Sequence, residues 1–330
     1  MRGRRKSLAI SEIGELGFLD RLLPDLKSGR GVIVGPGDDC AVVRVGTKSL
    51  LVTTDALIED VHYRRGWISP RQIGRKAYLV NASDIAAMGG RPRFCVVATA
   101  APKSFPSADL TAVHRGVAAA AAETGAVLVG GNLARAEQLS ISVTLLGEAP
   151  ARPLRRCGAR PGDLLCVTGT LGEAALGLLI LQRGERAAGV PLRRFREPQP
   201  RLRAGQLLAR HRLASAAIDI SDGLLQDLGH LCAASRVGAR IEAARLPTSR
   251  RVGRRRPALA LNGGEDYELL CAVPERNWKR VERLQAKLGC RVTPIGRCTA
   301  PGSGIRVFDE GGRALAISPG FDHFAEATSA

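Results

Sequence analysis

Residues 35–63, GPGDDCAVVRVGTKSLLVTTDALIEDVHY, restrict what this chain can fold into more than any other stretch. Two strand-like runs, residues 40–45 and 50–54, flank a short turn, and five carboxylates lie in the same segment. Branched and hydroxyl residues favour strands, while Gly, Pro and Asp favour turns. Antiparallel pairing of the two runs would carry the adjacent Asp38 and Asp39 close to Asp55. Two carboxylates about 4 Å apart repel by roughly 1 kcal/mol in water and about 4 kcal/mol at an effective dielectric near 20. Such a cluster needs full solvation or a cation. Magnesium suits it, because it takes carboxylate oxygens a few at a time, keeps waters and meets substrate phosphates. Thr53 and Thr54 offer further oxygens. In the competing reading Asp38 and Asp39 only make a turn, and this stretch does not decide between the two.

A chain of 330 residues exceeds the usual single core and implies two domains. The boundary falls in the Pro- and Arg-rich link at residues 150–161, giving expected domains at 1–150 and 151–330. No uncharged run is long enough to cross a bilayer, and acids among the apolar residues after MRGRRK spoil a signal-peptide core. The eight cysteines are scattered without a Cys-x-x-Cys pair, so they read as small apolar residues in a reducing compartment, and the cytoplasm is expected. A net charge of +18 raises nucleic acid as a partner. Only seven of the 49 basic residues are Lys, the arginines are spread along the chain, and no aromatic residues interleave with the basic runs. Nucleic acid is therefore disfavoured.

Read in order, the first half gives an amphipathic helix at 11–23, the two strands above, and a helix from Pro70 to Met88 that Ser69 caps and Gly89-Gly90 stop. Asn81 and Asp84 share one face of that helix. A strand at 93–100, a helix at 107–124 capped by Ser107, and strands at 126–129 and 139–147 follow. This is an α+β layout, an α/β sandwich with helices on one face of the sheet. The second half alternates strands at 163–168, 216–220, 239–243, 267–273 and 291–295 with helices at 172–182, 201–210, 224–235 and 276–288. Residues 183–200 read as a long loop.

Acids recur after strands and beside Gly or Ser. Asp219 and Asp222 flank Ser221 at the end of the run 216–220, ahead of a helix. Capping by Ser221 or Asp222 explains one of them. Asp219 remains, because a carboxylate at an apolar strand end is costly to bury without a partner. The chain has no Walker A sequence, no dinucleotide fingerprint and no Gly-x-Ser-x-Gly elbow. A nucleotide, if handled, is held through metal-bridged phosphates.

GPGDDCA, VTTDALIEDVHY, NASDIAAMGG, VLVGGN, RCGARPGDLLCVTGTLGEAALGL, AIDISDGLLQDLGHL, NGGEDYELL and the terminal GFDHF occur in this order over nearly the whole chain. Together they resemble the thiamine-monophosphate kinase family of the aminoimidazole-ribonucleotide-synthetase-like superfamily. The resemblance implies a two-domain protein whose N-terminal halves pair in a homodimer. It implies transfer of the terminal phosphoryl of ATP to thiamine phosphate with several magnesium ions. By the same resemblance, Asp39, Thr53, Thr54, Asp55, Asp84, Asp219 and Asp222 hold magnesium, and Asp39, Asp55, Asp84 and Asp219 form the catalytic set. ATP meets Gly131, Asn132, Arg156 and Ser221, and thiamine phosphate meets His62, Glu265 and Phe321. Asn132 also belongs to the metal set, but stands where the family usually has Asp, and a neutral amide attracts a cation less. Phe321 stands where many members have Tyr or Trp, which keeps stacking and removes a polar handle.

Two alternatives stay open at this point. One is another ATP-dependent enzyme of the superfamily with a different acceptor. The other is a non-catalytic nucleotide or RNA binder, which would have no use for the acidic set. Selenophosphate synthetases and hydrogenase-maturation relatives depend on a reactive Cys near one terminus, whereas the first Cys here is Cys40, inside the acidic motif.

Overall fold

A computed structural model describes residues 9–26, 29–185, 188–253 and 257–316. After helix α1 (Ile10–Leu22), the first half builds a six-stranded sheet from β1 (Val32–Val34), β2 (Ala41–Val45), β3 (Lys48–Ile58), β4 (Arg91–Ala101), β5 (Val127–Arg135) and β6 (Ser140–Glu148). Its order is β1-β2-β3-β6-β4-β5. β2 and β3 pair antiparallel with Ala41 opposite Val52, which is the hairpin expected from the acidic stretch. Among the described strands of this sheet only β4 and β5 pair parallel, a pairing that needs a crossover, and α3 (Ser107–Glu123) supplies it.

Helix α2 (Pro70–Ala87) is the centre of the molecule. Ser69 accepts the backbone N–H of Gln72, the Gln72 side chain returns to the Ser69 N–H, and Pro70 opens the helix. Gly89 ends the turn with a left-handed φ of 71°. Residues on almost every side of α2 are buried, as expected of a helix held between layers. One side packs on the first sheet through Ile73, Ala77 and Ile85, among Leu51, Val97 and Val143.

The second half builds a seven-stranded sheet from β7 (Leu164–Thr168), β8 (Ala216–Ile220), β9 (Gly238–Glu242), β10 (Glu268–Val273), β11 (Val292–Thr299), β12 (Ile305–Phe308) and β13 (Ala314–Leu315). Its order is β13-β12-β9-β11-β7-β10-β8. Helices α4 (Glu173–Gln182), α5 (Val190–Arg196), α6 (Leu202–Arg210), α7 (Leu224–Ser235), α8 (Pro257–Asn262) and α9 (Glu275–Leu288) surround it. Val167, Ile218 and Leu270 pack with Leu228 and Leu231 of α7, whereas Cys166, Ala217, Leu269 and Cys271 pack with Leu208 of α6, Val281 of α9 and Ala86-Ala87 of α2. With both faces covered, every residue of β7, β8 and β10 is buried, and their sequences read as apolar runs interrupted only by Thr168, Asp219 and Glu268. The end of α2 thus belongs to both halves. Gly205 of α6 makes this close approach possible, since a Cβ there would sit 1.9 Å from the Ala86 carbonyl oxygen.

The α+β architecture matches the expectation, with local exceptions. The expected loop at 183–200 contains α5, whose buried Pro191, Leu192 and Phe195 are hidden in sequence by the arginines between them. β5 continues past the expected end at Val129 through Gly130 and Gly131, because its pairing with β4 overrides glycine's poor strand propensity. Ser107 is the first residue of α3 and not its cap, the position before it being Pro106. The apolar residues Ile10, Phe18 and Leu22 of α1 stay exposed, not packed on a core.

Candidate active site

The turn before β2 divides its two acids. Asp38 accepts the backbone N–H of Arg156 at 2.7 Å and the side-chain N–H of Arg155 at 3.2 Å, so it ties the interdomain link to the first sheet. Asp39 points the other way, into the junction between the halves. There a carboxylate oxygen of Asp39, one of Asp84 from α2 and one of Asp219 from β8 lie within 4.8 Å of one another. Asp55 of β3 lies close enough for its charge to act on Asp84. The Thr53 hydroxyl donates to Asp84 at 2.5 Å.

The cluster is strongly unbalanced. Burial, which disfavours charge, pushes the Asp39 carboxyl up to about 6 even though Arg156 donates to its Oδ1 at 2.6 and 3.0 Å. Burial, followed by the charge of Asp39, pushes Asp219 up to about 8. Asp84 is raised well above the carboxylate range, first by burial and then by Asp55, Asp219 and Asp39. The Oδ2 atom of Asp39 is buried without a hydrogen-bond partner. Unit charges about 5 Å apart repel by roughly 3 kcal/mol at an effective dielectric near 20. One Arg does not offset four acids. The donor set, all carboxylate and hydroxyl oxygens with one orphaned oxygen among them, fits a hard divalent cation such as magnesium.

Ser221 and Asp222 follow β8 directly. Their backbone N–H groups and that of Gly223 all donate to the Asp227 carboxylate, at 3.1, 3.2 and 3.2 Å, which folds the Asp-Ile-Ser-Asp-Gly loop over the start of α7. Desolvation by the surrounding atoms and then the charge of Asp222 raise the carboxyl of Asp55, which still opens to solvent, so the loop brings Asp222 to the edge of the cluster. Glu265 also reaches this loop, its N–H donating to the Ser221 carbonyl at 2.6 Å. Arg156 is in place on Asp39.

Other expected residues stand apart. Thr54 alternates with Thr53 and Asp55 along β3, so its side chain projects from the opposite face of the sheet, where its hydroxyl meets Thr144 at 3.1 Å. His62 sits in the turn after β3, its Nδ1 accepting the Ile58 N–H at 3.1 Å. Gly131 and Asn132 lie on β5 at the edge of the sheet, both exposed. Asp55 faces Val143, Val143 faces Val97, and Val97 faces Gly131, so strands β6 and β4 separate the acids from this end. Phe321 and the rest of GFDHF lie outside the described residues.

Three contributors escaped the sequence reading. Asp227 is a first-turn acid aimed at free N–H groups, and an acid in that position was the available signal. Asn81, placed only on the face of Asp84, accepts the Asp55 N–H at 3.0 Å and so fixes β3 against α2. Lys76, two turns before Asp84, is fully buried and paired with Glu265. Nothing in the sequence joins those two.

Residues 37–149 match the family model for the N-terminal domain of AIR synthase related proteins, and residues 160–309 match that for the C-terminal domain. The chain is 38% identical to the thiamine-monophosphate kinase of Escherichia coli K12, over 94% of this chain and 98% of that one. It is 37% identical to the thiamine-monophosphate kinase of Mycobacterium tuberculosis H37Rv, over 84% and 87%. The solved structure of AaThiL complexed with AMPPCP and TMP superposes with a TM-score of 0.84 at 33% identity, covering 97% of this chain and all of that one. With both domain models matched in order and relatives this similar over nearly their full length, the chain belongs to the thiamine-monophosphate kinase family of the AIR synthase related proteins.

Proposed function

We propose that the chain is a thiamine-phosphate kinase, EC 2.7.4.16, which moves the terminal phosphoryl group of ATP directly onto thiamine phosphate to give thiamine diphosphate. The observation that carries the chemistry is the meeting of Asp39, Asp84 and Asp219 within 4.8 Å at the junction of the halves, with an orphaned Asp39 oxygen among them. Joining two phosphate-bearing molecules demands positioning and charge neutralisation more than covalent work by the protein. Magnesium, when bound, supplies Lewis-acid neutralisation and a template for both phosphates.

In this reading Asp39, Asp55, Asp84, Asp219 and Asp222 hold the metal ions, Thr53 orients Asp84, and Thr54 contributes from the far face of β3. Arg156 offers a planar, permanently charged fork and exchanges Asp39 for a nucleotide phosphate. Ser221 meets the nucleotide at the start of α7, and His62, Glu265 and Phe321 meet thiamine phosphate. Asn132 and Gly131 need a second copy. Three strand spacings separate Asp55 from β5, about 14 Å at ~4.8 Å each, so Asn132 reaches a metal at Asp55 only from the other subunit of a homodimer. The sheet face opposite α2 and α3 supports that pairing, since it leaves Phe94, Val96 and Val127 exposed at 48%, 37% and 56%. The proposed domains are residues 1–150, carrying the metal ligands and the dimer face, and 151–330, completing the nucleotide and acceptor sites. Among the described residues no helix is long and apolar enough to cross a membrane, and the free cysteines suit a reducing cytoplasm.

The test is a coupled assay for thiamine diphosphate with ATP, magnesium and either thiamine phosphate or free thiamine. Turnover on thiamine phosphate alone is expected. Turnover on free thiamine, or on neither while ATP still binds with magnesium, would point to a different acceptor.

A further inference from the structure

Lys76 is 0% exposed, and its ammonium lies 2.7 and 2.9 Å from the two carboxylate oxygens of Glu265, 189 residues away in the chain. It also sits 4.0 Å from the centroid of the Phe195 ring, which is itself buried and meets Trp67 edge-on at 6.4 Å. The ammonium's three N–H donors are therefore engaged by Glu265 and the ring face, leaving none for a phosphate. Fully burying a lysine rarely adds stability over an apolar side chain, so the pair calls for another reason. Glu265 provides one. Its φ of 67° is left-handed, as is the 49° of Tyr267 two residues on, and non-glycine residues keep such angles only where the surroundings hold them. Backbone bonds to Ser221 and Ile220 pin this turn from one side, and Lys76 pins its side chain from the other. The Glu265 side chain keeps 23% of its surface in solvent, and each carboxylate oxygen retains an unused lone pair.

We propose that Lys76 is a positioning residue of the acceptor subsite: backed by Phe195, it locks the Glu265 carboxylate so that its exposed edge accepts the amino group of an aminopyrimidine. This rests on the reading of Glu265 as an acceptor-binding residue. Lys76 reads no phosphate, and its effect is confined to the heterocyclic end of the acceptor. Helix α5, which carries Phe195, thereby belongs to the acceptor site without touching the acceptor.

The experiment measures KM for thiamine phosphate, KM for ATP and kcat in the wild type, K76M, K76R, E265Q and K76M/E265Q. The charged hydrogen bond that misalignment costs corresponds to about 10- to 100-fold in affinity. K76M is expected to raise KM for thiamine phosphate by about that factor with KM for ATP and kcat within about threefold. K76R, which keeps a cation beside Glu265, recovers part of the loss. In the E265Q background the same Lys76 change adds nothing further, because Lys76 acts through that carboxylate. If K76M proves insoluble, K76R and E265Q carry the comparison between the two KM values. Unchanged KM for thiamine phosphate, a parallel rise in both KM values, or additivity in the double variant overturns the proposal while leaving the kinase reading standing. A wild type inactive on thiamine phosphate overturns both.

Discussion

Two buried acidic sites lie almost side by side in the second sheet, and they are built on opposite terms. Glu268 and Leu269 of β10 stand opposite Ile220 and Asp219 of β8. Glu268 is buried, and the Arg201 guanidinium forks onto both its oxygens while the Thr168 hydroxyl donates at 2.7 Å. Asp219, one residue and one strand away, is equally buried but faces Asp39, Asp55 and Asp84. The first site is neutralised within the chain and serves the fold. The second lacks a matching set of cations, so its acids hold protons more tightly than free carboxylates do, and a bound cation would relieve the crowding. Like carboxylates gathered in excess of the cations beside them mark chemistry, and a carboxylate with a matched cation marks architecture.

The sharpest way to break this contrast is D84N. Loss of the acid at the centre of the cluster should lower turnover by at least about 10³-fold, several kcal/mol of transition-state stabilisation. The same variant should melt higher than wild type in EDTA, because one acid of the crowded cluster is gone. Activity by the coupled assay and melting by circular dichroism test both halves, and a D84N protein destabilised in EDTA would contradict the contrast. The reciprocal change, R201M, leaves Glu268 buried without its cation, with only the Thr168 hydroxyl still donating to it. It should cost about 3–5 kcal/mol in urea denaturation, with magnesium affinity of the folded fraction unaltered.

Next comes pH. Asp219 stands at about 8 when folded against 3.8 as a free side chain, and Asp39 at about 6. Between the unfolded and folded values the native state binds more protons than the unfolded one, so stability falls as pH rises. Without metal, the urea midpoint should drop from about pH 4 towards pH 8, at up to about 1.4 kcal/mol per pH unit for each group. D219N should flatten that slope, and saturating magnesium should remove most of it. A metal-free protein whose stability does not vary across this window would show that the cluster is not strained. The mildest expected effect is that of N132D, on the exposed edge of β5. It should tighten magnesium or ATP by about tenfold or less, as expected for one added charge in a partly solvated site, without moving the melting temperature. Magnesium titration of the initial rate measures it.

Much of the fold was legible because its signals are local. Ser69, Pro70 and Gln72 announce α2, and the apolar run 216–220 with the following Gly223 places β8 and α7 where they are found. Helix α5 was not legible, because its three buried apolar residues are too few to outweigh the arginines around them. The acids of the site were legible as types and spacing, yet Asp38 and Asp39 look alike in sequence. Only their surroundings separate an anchor for Arg155 and Arg156 from a member of the cluster.

By itself, then, the amino-acid order determined most of the elements and the two halves, since caps, turns and periodicity act over a few residues, and its ordered motifs determined the family to which the chain belongs. Tertiary structure decided which acids meet, that Thr53 faces the cluster while Thr54 faces away, that Asn132 is held two strands from it, and that Lys76 finds Glu265. These depend on strand order and on the close seat of α6 against the end of α2. Burial and packing between distant segments set both, and no local pattern encodes them.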